Sequence, residues 1–173
     1  ATATPEVIDD IQKQLAFKKE NVFRMSYERK NLAYVVRNTE DKETELIHIL
    51  KSVGGSAIVY VRTRKRTRDV ARMLVESNIS ATWYHAGLDP EVKSQRQEDW
   101  QNGKTRVIVA TNAFGMGIDK PDVRLVIHPD APSSIEAYFQ EAGRAGRDGK
   151  KSYAVLLWNH RDEHTLRNRI DAT

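Results

Sequence analysis

The sequence predicts an α/β fold of three layers, in which helices flank a central, mainly parallel sheet. Short apolar segments alternate along the chain with segments whose apolar residues recur at helical spacing. Strands without polar residues are typical of parallel sheets that are covered on both faces. The distance between successive apolar segments allows a crossover helix, so right-handed βαβ units are expected.

Six apolar segments are predicted strands, and the segments between them are predicted helices. The strands are expected at residues 32–36, 57–61, 81–84, 106–110, 124–128 and 152–158, the first of them as a buried strand. Helices are expected at 4–16, 41–52, 64–77, 89–101 and from 133 onward, with a further charged helix within 159–173. Ser133 and Glu136 match a capping box, in which a serine cap and a glutamate three residues later satisfy each other's backbone N–H groups.

Length and composition limit the function classes. The chain has 173 residues, which suits one main domain, and it contains no apolar run of the roughly 18 residues that cross a bilayer. It has no cysteine, and its five histidines lack metal-ligand spacing, so no metal site is expected. A net charge of +4 permits an anionic partner. The start at Ala1, without Met or signal peptide, predicts a piece of a longer protein.

Three partial motifs do not carry the chemistry that they resemble. Residues 103–105 look like the end of a P-loop, but Glu98 stands where the motif needs glycine. Residues 115–117 lack the third glycine of a dinucleotide fingerprint, because Lys120 takes its place. The acidic residues at 162–164 follow no apolar strand that would deliver them to a phosphate. None of the three therefore predicts a complete nucleotide site.

The segment 140–149 contains two arginines, Arg144 and Arg147, that are separated only by small residues. If the segment is helical, both guanidinium groups leave one face, and Gly143 and Gly146 allow another surface to approach. Rigid guanidinium forks suit the spread negative charge of a phosphoryl group in transfer. The alternative is a glycine-rich helix end whose exposed arginines only improve solubility.

Two further features point to a polyanion. The apolar strand ending at Ala110 continues into a polar, glycine-containing loop at 111–119, and ligands of open α/β sheets bind at such carboxyl ends. Arg64, Arg68 and Arg72 recur every four residues and predict a basic stripe on one helix. A merely solvated face is an equal alternative for the last two.

Four short stretches carry a family resemblance, and the match is dense from Tyr84 to Trp158. They are Tyr-His-Ala-Gly-Leu at 84–88, Ala-Phe-Gly-Met-Gly-Ile-Asp-Lys-Pro at 113–121, His-Pro-Asp-Ala-Pro at 128–132, and Tyr-Phe-Gln-Glu at 138–141 leading into the arginine segment. In this order they resemble the later motifs of superfamily 2 helicases and, within these, the RecQ family. The resemblance implies the second RecA-like lobe of an ATP-dependent DNA helicase.

The resemblance also implies roles for single residues. Arg147 becomes the arginine finger on the γ-phosphate, Arg144 a second contact and Gln140 a polar relay beside them. The residues implied to contact the nucleotide are Gly117, Asp119, Arg144 and Arg147, with Asp119 near the ribose. Those implied to contact the DNA backbone are Thr63, Arg64, His85 and Thr111, since hydroxyls and cations bind phosphates without reading sequence.

Domains, partners and alternatives follow from the same resemblance. Residues 1–31 are expected to be the tail of a first lobe and a linker, 32–160 the second lobe, and 161–173 the connection to a zinc module. The implied cofactor is ATP with Mg²⁺, bound mainly by the first lobe of the same chain. The implied partners are single-stranded and duplex DNA, with no membrane, for a monomer in the cytoplasm, at the bacterial nucleoid, or in the nucleus. An RNA helicase lobe and a non-catalytic binding or annealing module remain alternatives.

Overall fold

The structure, a computed structural model, describes residues 30–111 and 120–159, and these form six strands and four helices. The elements in chain order are β1 Leu32–Asn38, α1 Lys42–Ser52, β2 Ser56–Tyr60, α2 Arg64–Glu76, β3 Ala81–Tyr84, α3 Pro90–Gln101, β4 Val107–Ala110, β5 Val123–His128, α4 Ile135–Ala142 and β6 Ser152–Trp158. All six predicted strands and the helices between them are confirmed. The helices predicted at 4–16 and within 159–173 lie outside the described residues, apart from Asn159 itself.

The six strands form one sheet in the order β1-β6-β5-β2-β4-β3, and every neighbouring pair is parallel. From β2 the chain passes to β3 at one edge of the sheet and returns to β4, which lies between them. It then places β5 on the other side of β2. The strand order therefore reverses between β2 and β5. In open α/β sheets, ligands bind beyond the carboxyl ends of the strands at such a reversal.

The sheet separates two apolar cores, which makes the fold a three-layer sandwich. On one face α3 and α4 bury Trp100 and Tyr138 against β2 and β5. On the other face α1 and α2 bury Leu46 and Leu74 against the alternate residues of the same strands. Each fully buried side chain of this kind stabilises the fold by about 1.5–3 kcal/mol. The predicted three-layer α/β class is thus confirmed.

Strand β1 lies at the edge of the sheet, where the sequence predicts a buried strand. Only Leu32 of the segment 32–36 is buried, and the following residues are partly exposed. The segment is nevertheless apolar because α4 packs on it: the Tyr34 ring lies 5.7 Å from that of Phe139 and 6.4 Å from that of Tyr138. The apolar run correctly indicated a strand, but it did not indicate the strand's place in the sheet.

Helix α4 begins one residue later than the predicted capping box requires. Ser134, rather than Ser133, is the N-cap, and its hydroxyl accepts the N–H of Ala137 at 3.0 Å. Glu136 therefore occupies the second helical position, where it cannot close a capping box. Its negative charge still lies in the first turn, which the helix dipole favours.

Helix α4 ends at Ala142, so the two arginines that follow do not share a helical face. Residues 143–148 form turns, and Gly146 has a φ of +68°. The N–H of Gly146 donates to the Val123 carbonyl at 2.8 Å, and that of Asp148 donates to Pro121 at 3.0 Å. The predicted shared face is wrong because these bonds direct the chain to the amino end of β5. We call residues 143–148 the arginine turn.

Gly146 is required by packing inside the chain rather than by the approach of another surface. An added Cβ at this position would lie 2.6 Å from Asn31 Nδ2 and 2.8 Å from the Ser152 hydroxyl. Asn31 Nδ2 also donates to the Gly146 carbonyl at 2.7 Å. The arginine turn is therefore attached to the segments that enter β1 and β6.

We expect Gly146→Ala to destabilise the chain by about 2–4 kcal/mol, because left-handed backbone strain and a steric overlap add together. Gly149→Ala is the matched control: Gly149 also has a positive φ, of +84°, but an added Cβ meets nothing within 4 Å. The control should cost only the strain, about 1–2 kcal/mol. Urea unfolding of both variants measures the difference, and equal losses would contradict the packing around Gly146.

Candidate nucleic-acid interface and arginine turn

The four residues predicted to contact a nucleic-acid backbone lie at one edge of the sheet. Thr63 and Arg64 follow β2, Thr111 follows β4 and His85 follows β3. These strands are consecutive in the sheet and parallel, so their carboxyl ends lie side by side. The structure therefore brings the predicted set together, and we call this set the strand-end row.

Two members of the strand-end row, Arg64 and His85, meet at Gly87. A Cβ at Gly87 would lie 2.7 Å from the Arg64 Nη1 and 3.2 Å from the His85 ring, so a side chain there would displace the Arg64 guanidinium. The backbone N–H of Gly87 donates to His85 Nδ1 at 3.0 Å. The proton of the neutral ring is therefore assigned to Nε2.

The charge state of His85 follows from its surroundings. Partial burial lowers the pKa of His85 below its usual value, and the cations Arg64 and Arg96 lower it further. The ring is therefore neutral at pH 7 and presents Nε2–H as a donor. A neutral N–H of this kind can donate a hydrogen bond to a phosphate oxygen without adding a positive charge.

The first turn of α2 concentrates positive charge where helix electrostatics oppose it. Thr63 caps the helix by accepting the Arg66 N–H at 3.1 Å, and Arg64, Lys65 and Arg66 follow with no acidic residue among them. Cations near a helix N-terminus are unfavourable because the dipole is positive there. Arg66 is offset by Asp130, whose carboxylate lies 2.8 Å away. Arg64 and Lys65 remain exposed, so an anion bound there would relieve the repulsion.

The predicted basic stripe continues along α2 to the edge of the sheet. Arg68 and Arg72 are exposed, and Arg72 lies 6.0 Å from the centre of the Trp83 ring. Arg96 of α3 stacks on the same ring at 4.1 Å and donates to the Trp83 carbonyl at 2.8 Å. Sequence analysis did not find Arg96, because its place beside Trp83 depends on how α3 packs on β3.

The predicted phosphate-contacting residues separate in the structure. Arg147 is exposed on the arginine turn, and Gln140 is exposed near the end of α4. Arg144 is only partly exposed; its guanidinium is hydrogen-bonded to the Tyr60 hydroxyl, but its Nε is buried without a hydrogen-bond partner among the described residues. Gly117 and Asp119 lie outside the described residues. The structure thus presents Arg147 outward and turns Arg144 toward the sheet.

A buried polar cluster surrounds Arg144. The rings of Tyr60 and His128, from the adjacent strands β2 and β5, stack with centroids 5.3 Å apart and planes at 18°. His128 Nε2 lies 3.0 Å from the Glu141 carboxylate, and the Arg144 N–H donates to the Glu141 carbonyl at 3.2 Å. Burial raises the pKa of Tyr60, so its phenol stays protonated. We call Tyr60, His128, Glu141 and Arg144 the buried polar cluster.

His128 and Glu141 lie inside two of the family-like stretches, at 128–132 and 138–141, but the sequence indicated no role for either. The available signal was weak. His128 is the polar end of an apolar strand. Glu141 follows the exposed Gln140 and precedes the buried Ala142, three residues after the buried Tyr138. Neither pattern specifies a partner, because the contact depends on α4 crossing β5.

A cavity of about 140 Å³ opens beside this cluster, where the strand order reverses between β2 and β5. Asp130 lies on its wall and accepts the backbone N–H of Arg62 at 3.0 Å in addition to its ion pair with Arg66. The loop after β5 is thereby attached to the start of α2. The residues lining the cavity are Tyr60, Val61, Arg62, His128, Asp130, Ala131, Pro132, Ser133 and Glu141.

In the described ranges 30–111 and 120–159, no group of three potential metal-binding side chains converges. Within the same ranges, no helix has the length and apolar character needed to span a bilayer.

Comparison with known proteins gives consistent matches. The family model for the helicase conserved C-terminal domain matches residues 41–149. The RecQ-like DNA helicase blm-1 of Caenorhabditis elegans is 42% identical over 99% of this chain, and the ATP-dependent DNA helicase RecQ of Bacillus subtilis (strain 168) is 44% identical over 94%. The chain spans 18% and 28% of the lengths of these two relatives. A putative ATP-dependent RNA helicase, R290 of Acanthamoeba polyphaga mimivirus, is 43% identical over 94% of the chain and is covered to 30%.

Solved structures agree with the fold. The E. coli DEAD-box protein SrmB superposes with a TM-score of 0.68 at 30% identity, covering 83% of this chain and 84% of that one. The C-terminal domain of the DEAD-box protein Dbp5 gives a TM-score of 0.64 at 25% identity, covering 83% of each. The predicted RecA-like architecture is thus confirmed. The chain belongs to the helicase conserved C-terminal domain family, and its sequence places it with the RecQ-type members of that family.

Proposed function

We propose that this chain is the second motor lobe of an ATP-dependent DNA helicase of the RecQ type. The observation that carries the proposal is the arginine turn, which presents Arg147 outward from a backbone held by hydrogen bonds to Pro121 and Val123. A guanidinium on a preorganised turn suits a phosphoryl group that a second lobe holds. Two RecQ-type relatives are named as a RecQ-like DNA helicase and as an ATP-dependent DNA helicase, and these names support the same activity.

The proposed hydrolysis site lies between this lobe and a first lobe. The first lobe supplies the P-loop lysine and the carboxylate for Mg²⁺, neither of which has a motif in this sequence. Arg147 meets the negative charge that develops on the γ-phosphate, and Arg144 makes a second contact. Gln140 relays polar contacts beside them, while Gly117 and Asp119, which lie outside the described residues, contact the nucleotide.

The proposed DNA path follows the strand-end row. Thr63 and Thr111 offer hydroxyls, His85 a neutral N–H, and Arg64 a charge, all of which bind phosphate without reading bases. Changes in the distance between the lobes would then advance a strand held at this edge. We further propose that the protein acts as a monomer in the cytoplasm or nucleus and that a zinc module follows residue 173.

An RNA helicase lobe is the second candidate, and one observation favours it. A relative that is 43% identical to this chain is named as a putative ATP-dependent RNA helicase. Both kinds of enzyme hold the backbone and differ in their tolerance of the 2′-hydroxyl. Unwinding of paired DNA and RNA duplexes separates them. A pure annealing module would leave the arginine turn without a purpose.

We expect the chain alone to hydrolyse ATP no faster than background, because its sequence has neither the phosphate-binding lysine motif nor the acidic magnesium motif. A phosphate-release assay with and without single-stranded DNA measures this. DNA-stimulated turnover by the purified chain would contradict the assignment as half of a motor.

We expect the chain to bind single-stranded DNA weakly, without sequence preference, and less well as salt rises, because phosphate contacts release counterions. Arg64→Ala should weaken binding to all sequences alike and lower the salt slope by about 0.7–1. Lys104→Ala is the control, since Lys104 is an equally exposed cation just before the amino end of β4. Fluorescence anisotropy at several salt concentrations decides. Equal effects of the two variants would contradict the strand-end row.

In a helicase that contains this lobe and a first lobe, we expect Arg147→Ala to lower kcat by about three to five orders of magnitude. Arg147→Lys should be largely inactive as well, because an ammonium cannot reproduce the planar fork. ATP and DNA affinity should change far less, since the charge that Arg147 meets develops in the transition state.

A measurement of folding is the control for this experiment. Arg147 is exposed, so its loss removes little packing, and thermal melts of variant and wild type should coincide. Hydrolysis within a few-fold of wild type by a folded Arg147→Ala protein would place the finger elsewhere, with Arg144 the next residue to test.

A further inference from the structure

The buried polar cluster carries an inference about Arg144 that goes beyond its own contact with phosphate. We propose that Tyr60 and His128 are positioning residues, which hold Arg144 in a defined orientation and connect it to the strand-end row. The proposal rests on the function proposed above. It assigns a role to two side chains to which the function proposed above gives none.

Arg144 is contacted by members of the buried polar cluster at two places. Its guanidinium donates to the Tyr60 hydroxyl, and its backbone N–H donates to the Glu141 carbonyl. The carboxylate of that same Glu141 is paired with His128. Arg144 is therefore contacted at its guanidinium by Tyr60, although its buried Nε has no hydrogen-bond partner among the described residues, and its backbone is bonded to the residue that pairs with His128. A long side chain loses much of its rotamer freedom in this way before any ligand binds.

The pair of His128 and Glu141 is largely buried. The His128 side chain is 2% exposed and that of Glu141 is 12% exposed. Replacing both partners of a buried hydrogen bond by apolar groups of the same shape is often nearly neutral or even stabilising. His128 Nδ1 is also buried and has no hydrogen-bond partner among the described residues, which costs further stability. Stability alone does not account for these side chains, whereas a positioning role does.

The buried polar cluster is connected to the strand-end row. Tyr60 ends β2, and Thr63 and Arg64 follow three and four residues later. His128 ends β5, and Asp130, two residues later, binds both the Arg62 backbone and the Arg66 side chain. The ends of β2 and β5 are thus joined twice, once by the stacked rings and once through Asp130. A shift of Arg64 that follows a DNA strand is transmitted through these contacts to Tyr60.

The test uses Tyr60→Phe in a helicase that contains this lobe and a first lobe. The variant keeps the ring stacked on His128 and removes only the hydroxyl that binds Arg144. We expect DNA-stimulated kcat to fall roughly ten- to a hundredfold, with the KM for ATP and the DNA affinity nearly unchanged. A purely structural role would instead lower the melting temperature and leave kcat of the folded protein intact.

Tyr138→Phe is the matched control. Tyr138 is fully buried on the same face of the sheet, and its hydroxyl has no hydrogen-bond partner among the residues that the structure describes. Removing this hydroxyl should leave kcat at the wild-type value. If both tyrosine variants lower kcat equally, the effect comes from the core in general, and the proposal fails.

His128 is tested by rescue. His128→Phe keeps an aromatic ring beside Tyr60 and removes the donor to Glu141, so kcat should fall. His128→Gln restores an N–H donor, and we expect it to recover part of the lost kcat. A glutamine variant as slow as the phenylalanine variant would remove His128 from the positioning role.

A double-mutant cycle identifies the route. If Tyr60 acts through Arg144, Tyr60→Phe should have no further effect on single-turnover hydrolysis in an Arg144→Ala background. Additive losses would overturn the proposal, as would a normal rate for Arg144→Ala alone. Neither result depends on Arg147, so failure of the positioning role stays distinguishable from failure of the proposed function.

Discussion

The parallel pairing of β2 with β5 is the constraint on which the rest of this lobe depends. Because the two strands run side by side in the same direction, both carboxyl ends lie at one edge, where the strand order reverses. That edge holds the cavity, the start of the basic helix α2 and the stacked rings of Tyr60 and His128. Without this pairing, the two proposed sites would have no common framework.

Electrostatics give the same edge its chemical character. Three successive cations begin α2, and the helix dipole opposes them, so the protein tolerates an unfavourable arrangement where a phosphate would relieve it. His85 is kept neutral beside Arg64 by partial burial and by the neighbouring cations. The edge is therefore cationic without being uniformly charged. It offers donors of different kinds to a backbone that presents only acceptors.

The arginine turn illustrates how tertiary contacts shape a short motif. Two arginines three residues apart favour a common helical face, yet Gly146 adopts a left-handed conformation and the chain leaves the helix after Ala142. As a result, Arg147 is exposed, whereas Arg144 turns back to Tyr60. The spacing of arginines along a sequence thus does not determine which guanidinium is presented to a partner.

The sequence by itself determined the α/β class, all six strands, the helices between them, the basic stripe and the residues of the strand-end row. The class, the strands, the helices and the stripe depend on local periodicity, whereas the residues of the strand-end row were implied by the family resemblance. Only the tertiary structure decided that β1 lies at an edge, that Ser134 caps an α4 that ends at Ala142, and that Tyr60 and His128 lie together beside Arg144. Those outcomes depend on hydrogen bonds and packing between residues far apart in the chain, such as Gly146 with Val123 and His128 with Glu141, for which no local pattern specifies the partner.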